Sequence, residues 1–324
     1  MSHKDRLAKI RAAMGSQGID AYIIPSSDPH ISEYLPERYK CIAWVSGFTG
    51  SAGTLVITQD FAGLWTDARY FVQANEQLEG SGFELVKLKT QGAAEYADWL
   101  GEKLTEGAQV AFDGNLASLL VAQTVKNTLK PLQINVNGHV DLLTAIWENR
   151  PALPQVKAYL LNEVTTGQST ESKLAAVRQI LAKSRTESHF ISSLDDVAWL
   201  LNIRGQDVPC NPVALSFIYL SQEKAILFIA DGKLTSEDIV TLNNQGVEIA
   251  DYNEAFEFVK NIEANSILID PKRTCFAIYD SIPSAVNIVE KINPSTSLKA
   301  IKNEVEIDHI RQTMVNDGVA MTKF

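Results

Sequence analysis

Arg69 is the side chain of this sequence best equipped to hold a ligand. It stands in the string Trp65-Thr66-Asp67-Ala68-Arg69-Tyr70-Phe71, where a strand pattern gives out. A guanidinium presents a planar set of donors that can grip a carboxylate or a carbonyl oxygen of a peptide. Asp67, two residues earlier, offers the competing use of the same donors, an ion pair that fixes the end of the strand. Both uses stay open from sequence. Trp65 and Tyr70 flank the arginine, either as walls of a cleft or as core aromatics. His30, following Pro29, reads as a loop hydrogen-bonding group rather than a ligand.

No other constellation promises catalysis. The five histidines, His3, His30, His139, His189 and His309, are scattered, and none has the short spacing of a metal-binding helix. No metal ligand and no catalytic residue is therefore expected in this segment. Cys41, Cys210 and Cys275 are odd in number and far apart, which fits reduced thiols of a cytoplasmic protein and lacks the His partner of a cysteine nucleophile. The run Gly47-Phe48-Thr49-Gly50-Ser51-Ala52-Gly53 lacks the Gly-Lys-Ser/Thr ending of a phosphate loop and leads into a strand, so its glycines serve backbone geometry.

The whole chain bounds the partners. Its 324 residues carry 29 Lys plus Arg against 39 Asp plus Glu, a net charge of -10 that repels nucleic acid and anionic membrane surfaces. No apolar run approaches a membrane span, and the charged start has no signal-peptide pattern. With 45% hydrophobic residues, two domains can each bury a core.

Those domains read as two copies of one design. Arg6-Leu7-Ala8-Lys9-Ile10-Arg11 aligns with Lys173-Leu174-Ala175-Ala176-Val177-Arg178 at an offset of 167, both helical in period. Ala21-Tyr22-Ile23-Ile24 aligns with His189-Phe190-Ile191 at an offset of 168, a drift of one residue. A strand, turn and strand over 54–66 matches 216–229, Gly82-Phe83-Glu84-Leu85 matches Gly246-Val247-Glu248-Ile249, and Val110-Ala111-Phe112-Asp113 matches Ile267-Leu268-Ile269-Asp270. Alternating strands and helices with one hairpin per copy predict two α/β domains, each a mixed sheet covered by helices. The Pro-punctuated stretch 150–154 ends the first copy, giving domains at 1–160 and 161–300. Residues 301–324 then start a helix: Asn303 with Glu306 makes a capping box, and Ile307, Ile310, Met314 and Met321 form an apolar stripe that needs a surface to cover. Gly318 interrupts that stripe, and the absence of any stop signal before Phe324 reads as a chain cut within a longer protein.

Three strings in the first half, 21–34, Val45-Ser46-Gly47-Phe48-Thr49-Gly50-Ser51-Ala52-Gly53-Thr54 and 64–71, resemble the first domain of the three-domain aminopeptidase P family, of creatinase/prolidase type. Val197-Ala198-Trp199-Leu200-Leu201-Asn202-Ile203-Arg204-Gly205 and Asp207-Val208-Pro209-Cys210-Asn211-Pro212-Val213 resemble its second, and 302–306 would lead into its third. The resemblance implies two creatinase N-terminal-like domains in tandem. It further implies a full-length metallopeptidase that removes an N-terminal residue preceding proline, works as a homo-oligomer such as a dimer, and holds two divalent metal ions, usually manganese, in a catalytic domain beyond these residues. Arg69 matches a family arginine placed to reach substrate, and Asp231-Gly232-Lys233 stand near its place in the second copy. This segment alone is then inactive, shaping a substrate cleft and an oligomer interface. The alternative is a polypeptide-binding module of the same fold without catalysis. The duplicated second domain argues against a third reading, an amidinohydrolase.

Overall fold

Strand β1 (Ala21–Pro25) has its first four residues buried, as expected of a strand with neighbours on both sides. The structure, a computed structural model, describes residues 1–324. Around β1 are β2 (Thr54–Thr58), β3 (Ala62–Thr66), β4 (Glu84–Lys87), β5 (Gln109–Phe112) and β6 (Asn135–Asn137), in the sheet order β4-β3-β2-β1-β5-β6. The hairpin β2 to β3 and the pairing of β1 with β2 are antiparallel, whereas β1 runs parallel to β5, and β3 to β4. The sheet is mixed, as the alternation predicts.

Helices α1 (His3–Ser16), α2 (Cys41–Ser46), α3 (Phe71–Gln77), α4 (Glu95–Lys103), α5 (Leu119–Leu129) and α6 (Leu143–Ile146) cover it. Ser2 starts α1 through a capping box with Asp5, and Leu7, Ile10 and Met14 bury its inner stripe. They join Tyr22, Ile24, Leu55 and Ile57 of the sheet in one core.

The second sheet repeats the first. β7 (Tyr159–Leu160) and β9 (Ile203–Arg204) form a separate ribbon, while β8 (Ser188–Ile191), β10 (Ser216–Ser221), β11 (Ala225–Ile229), β12 (Glu248–Asp251), β13 (Ser266–Ile269) and β14 (Asn287–Glu290) stand in the order β12-β11-β10-β8-β13-β14. Strand for strand this is the connectivity of the first sheet. The register refines the alignment. Ala21 pairs with Val110, and Ser188 pairs with Ile267, so β8 matches β1 at an offset of 167 and the one-residue drift disappears. The cores agree, since Ile24 and Ile191 both point into the main apolar cluster of their own sheet. A slip of one residue would have turned every side chain to the opposite face.

The remaining helices are α7 (Glu163–Thr166), α8 (Thr170–Lys183), α9 (Leu194–Leu200), α10 (Ser236–Asn244), α11 (Ala255–Lys260), α12 (Phe276–Ser281), α13 (Pro294–Ala300) and α14 (Glu304–Lys323). The chain forms two compact units: Met1–Pro154 with Pro271–Ser281, and Gln155–Asp270 with Ile282–Phe324. Three segments lie differently from boundaries drawn at 160 and 300. Residues 155–160 belong to unit 2, where β7 pairs with β9. So does α14, whose cap residue Asn303 donates its side-chain amide to Thr166 O at 2.9 Å. Residues 271–281 belong to unit 1. There Phe276 N donates to Ala117 O at 2.8 Å, Leu119 N donates to Thr274 O at 2.9 Å, and the Phe276 ring lies 5.9 Å from that of Phe112.

Candidate functional site

After β1 the chain turns sharply at Asp28, whose Oδ1 accepts from the backbone N–H groups of His30 at 2.9 Å and Ser32 at 3.0 Å. This carries Ile31 through φ 53° and buries His30 within the turn. Burial pushes the Asp28 carboxyl up to about 6. Beyond the turn, residues 33–44, the glycine-rich loop and Tyr70 enclose a cleft of about 750 Å³ in unit 1. Its lining combines Tyr34, Trp44, Phe48 and Tyr70 with the charged Glu33 and Lys40. Concave sites of this size with mixed lining are where polypeptide or small-molecule ligands bind.

The glycine-rich loop is held by side chains of α3. Gln77 Oε1 accepts from Thr49 N at 2.9 Å, and Gln73 and Gln77 both donate to Thr49 Oγ1. At Gly50 a Cβ would meet Phe48 at 2.2 Å and Tyr70 at 2.7 Å, so the absent side chain lets these two rings approach edge to face, 5.7 Å apart. Ser51 Oγ and Tyr70 Oη share a hydrogen bond of 2.8 Å. The loop is thus a backbone device that sets Tyr70, as its glycines suggest.

Arg69 does not itself line this cleft; it directly precedes Tyr70, which does. Its Nε and Nη2 donate to Asp67 Oδ1 and Oδ2 at 2.9 and 2.8 Å, and its backbone N–H donates to Oδ1 at 3.1 Å. The fork edge of the guanidinium is therefore engaged by Asp67, the pairing that sequence offered as the competing use. These hydrogen bonds hold the Asp67 carboxyl below its usual range and raise the arginine. The arginine side chain is half exposed, its guanidinium carbon lies 5.2 Å from the Tyr70 ring centroid, and Nη1 makes no hydrogen bond. Asp67 thus fixes the orientation of the guanidinium.

Trp65 and Tyr70 part company. Tyr70 lines the cleft, but Trp65 is 2% exposed and sits among Phe61, Tyr96 and Trp99. Sequence reasoning passed over the back wall. There Arg6, Trp44, Trp147 and Arg150 stack in series, with Arg6 4.8 Å from Trp44, the indoles 4.7 Å apart and Arg150 5.5 Å from Trp147. Arg150 also donates to Arg38 O at 3.1 Å and to Thr144 Oγ1 at 2.9 Å. Only their composition could have flagged them, because the two tryptophans lie about a hundred residues apart.

In unit 2, Lys233 is buried against Asp207, in a pair 1% and 0% exposed. The exposed guanidinium of unit 1 has no counterpart there. Burial pushes the Cys41 and Cys275 thiols up to about 12, while Cys210 is exposed, and no disulfide forms. No group of three or more His, Cys, Asp or Glu side chains is arranged to hold a metal ion.

Comparison with known proteins gives these units a family. Two family models, both described as the creatinase/prolidase N-terminal domain, match residues 6–143 and 149–306. The chain belongs to the creatinase/prolidase N-terminal domain family. It contains that domain twice in tandem, which the repeated sheet order already displayed. Along 98% of its length this creatinase/prolidase-type chain is 36% identical to Xaa-Pro aminopeptidase 1 of Dictyostelium discoideum, covering 52% of that protein. It is 32% identical to aminopeptidase P2 of Arabidopsis thaliana over 99% of the chain, covering 50% of that protein. The crystal structure of X-prolyl aminopeptidase from Caenorhabditis elegans, described as a cytosolic enzyme with a di-nuclear active site, superimposes with a TM-score of 0.92. It shares 29% identity with the chain, over 100% of the chain and 55% of the other. The chain spans about half the length of the curated relatives it matches.

Proposed function

We propose that this chain is the non-catalytic N-terminal part of a metal-dependent Xaa-Pro aminopeptidase, which removes an N-terminal residue preceding proline. The similarity to relatives of that name along almost the whole chain carries the reading. A di-nuclear centre does not fit the residues present, since no cluster of ligating side chains is formed, so the two metal ions, manganese by family resemblance, belong to a catalytic domain outside these residues. The apolar stripe of α14 supports this division. None of its residues is buried, and Ile310, Met314 and Met321 are 46%, 63% and 67% exposed, a face suited to packing against further structure.

In this reading the segment contributes to the substrate cleft and to an oligomer interface, the protein forms a homo-oligomer such as a dimer, and Arg69 reaches a peptide oxygen with the edge that Asp67 leaves open. The protein acts in the cytoplasm, as does the Caenorhabditis elegans enzyme, and no helix is long and apolar enough to cross a membrane. The test is release of the first residue from a Xaa-Pro peptide by the full gene product, with and without manganese. Arg69→Ala is expected to lower kcat/KM by roughly tenfold or more, the equivalent of one charge-assisted hydrogen bond. A full-length protein with no such activity, yet binding polypeptide, would establish the non-catalytic module instead. An unchanged kcat/KM would leave Arg69 with its structural pairing alone.

A further inference from the structure

Beside the start of α14 in unit 2, a recess of about 270 Å³ gathers cations in a chain whose net charge is -10. Lys173 of α8 lines it. The residue is 1% exposed, and Nζ donates to Trp199 O at 2.9 Å and Asn202 Oδ1 at 2.6 Å. An ammonium has three donors, so one remains. Arg204, at the end of β9, uses Nη1 for Ala198 O at 2.7 Å and Ile203 O at 2.9 Å. Its Nε and Nη2 make no hydrogen bond, and this is the edge that holds an oxyanion with two parallel bonds. Lys302, just before α14, lines the recess as a third cation.

Glu306 is the one carboxylate in the lining. Its Oε2 accepts from Asn303 N at 3.0 Å in the capping box, and it stands beyond ion-pair distance of Lys173, Arg204 and Lys302, although Lys173 and Arg204 both feel its charge. Three cations thus face one carboxylate across space for more than water. A water takes about 30 Å³ in the liquid, so the volume admits a phosphate-sized ion with several of its waters.

We propose that this recess binds a small, doubly charged oxyanion of the phosphate class, which links Arg204 and Lys173 to the approach of α14 and steadies that helix. The site lies in unit 2, apart from the cleft of unit 1, and stands whether or not the aminopeptidase reading does. The 324-residue chain is to be titrated with inorganic phosphate against chloride at matched ionic strength, following thermal unfolding and hydrogen exchange. A saturable rise in the unfolding midpoint is expected, with slowed exchange over 302–312. Lys302→Gln should weaken apparent affinity roughly threefold, as for an exposed charge, and Arg204→Gln roughly tenfold or more. Lys302 is exposed, so Lys302→Gln and Lys302→Glu keep the test decisive should Arg204→Gln fail to fold. No saturable response, an equal response to acetate, or an unchanged response in both Lys302 variants would overturn the proposal.

Discussion

Lys233 and Asp207 place two opposite charges inside unit 2, where neither can reach water. Asp207 also accepts from Leu215 N at 2.7 Å, so removal of the lysine would leave a carboxylate with too few partners. Lys233→Met is expected to cost about 3 to 5 kcal/mol, and Lys233→Met with Asp207→Leu considerably less. Urea unfolding of both variants measures this, and a double variant no more stable than the single one would refute it. The contrast with Asp67 and Arg69 shows which pairs a sequence displays. Two residues apart at a strand end, that pair was visible as one of two uses of the arginine. Lys233 and Asp207 are 26 residues apart and meet only because the fold brings them together.

Segments behave differently from pairs. The hairpins and the capped start of α14 were legible because they rest on local rules, a period of two and a side chain that closes the first helical turn. The strand register was not, because a gap in an alignment carries no penalty there, whereas in the sheet it exchanges core for solvent. Nor was the placement of 271–281, which depends on contacts distant in sequence. Gly114 is a condition of that placement. A Cβ there would meet Gly138 O at 2.4 Å and the Phe276 ring at 2.9 Å, and the carbonyl cannot rotate away as a flexible side chain would. Gly114→Ala should therefore destabilise unit 1 by about 1 to 3 kcal/mol and expose 271–281 to protease. Unchanged stability and an unchanged cleavage pattern would show that the backbone yields without cost. The cleft was partly legible for the same reason: Tyr70 adjoins Arg69 and lies 19 residues from Ser51 of the glycine-rich loop, whereas the stacked Trp44 and Trp147 are about a hundred residues apart.

Across the molecule, the two copies bury different titratable groups at equivalent strands. Tyr22 of β1 and His189 of β8 occupy matching places in the register, next to Asp113 and Asp270 respectively. In unit 1, burial pushes the carboxyls of Asp28 and Asp113 from 3.8 up to about 6. In unit 2, burial pushes His189 from 6.5 down to about 4. A raised carboxyl holds its proton more tightly in the folded state, so its contribution is complete below pH 4 and is lost as pH rises through 6. A lowered histidine does the reverse: its contribution is complete above about pH 6.5 and is lost as pH falls toward 4. Each group is worth roughly 3 kcal/mol across its window, so between pH 4 and 6.5 these groups drive the two units in opposite directions. Hydrogen exchange resolved by unit, corrected for intrinsic rates, should show unit 1 losing stability over this range while unit 2 gains it. Asp113→Asn should flatten the slope of unit 1 and leave that of unit 2 unchanged. Parallel slopes in the two units, or an Asp113→Asn slope identical to the parent, would mean that the buried carboxyls of unit 1 keep ordinary affinities for protons.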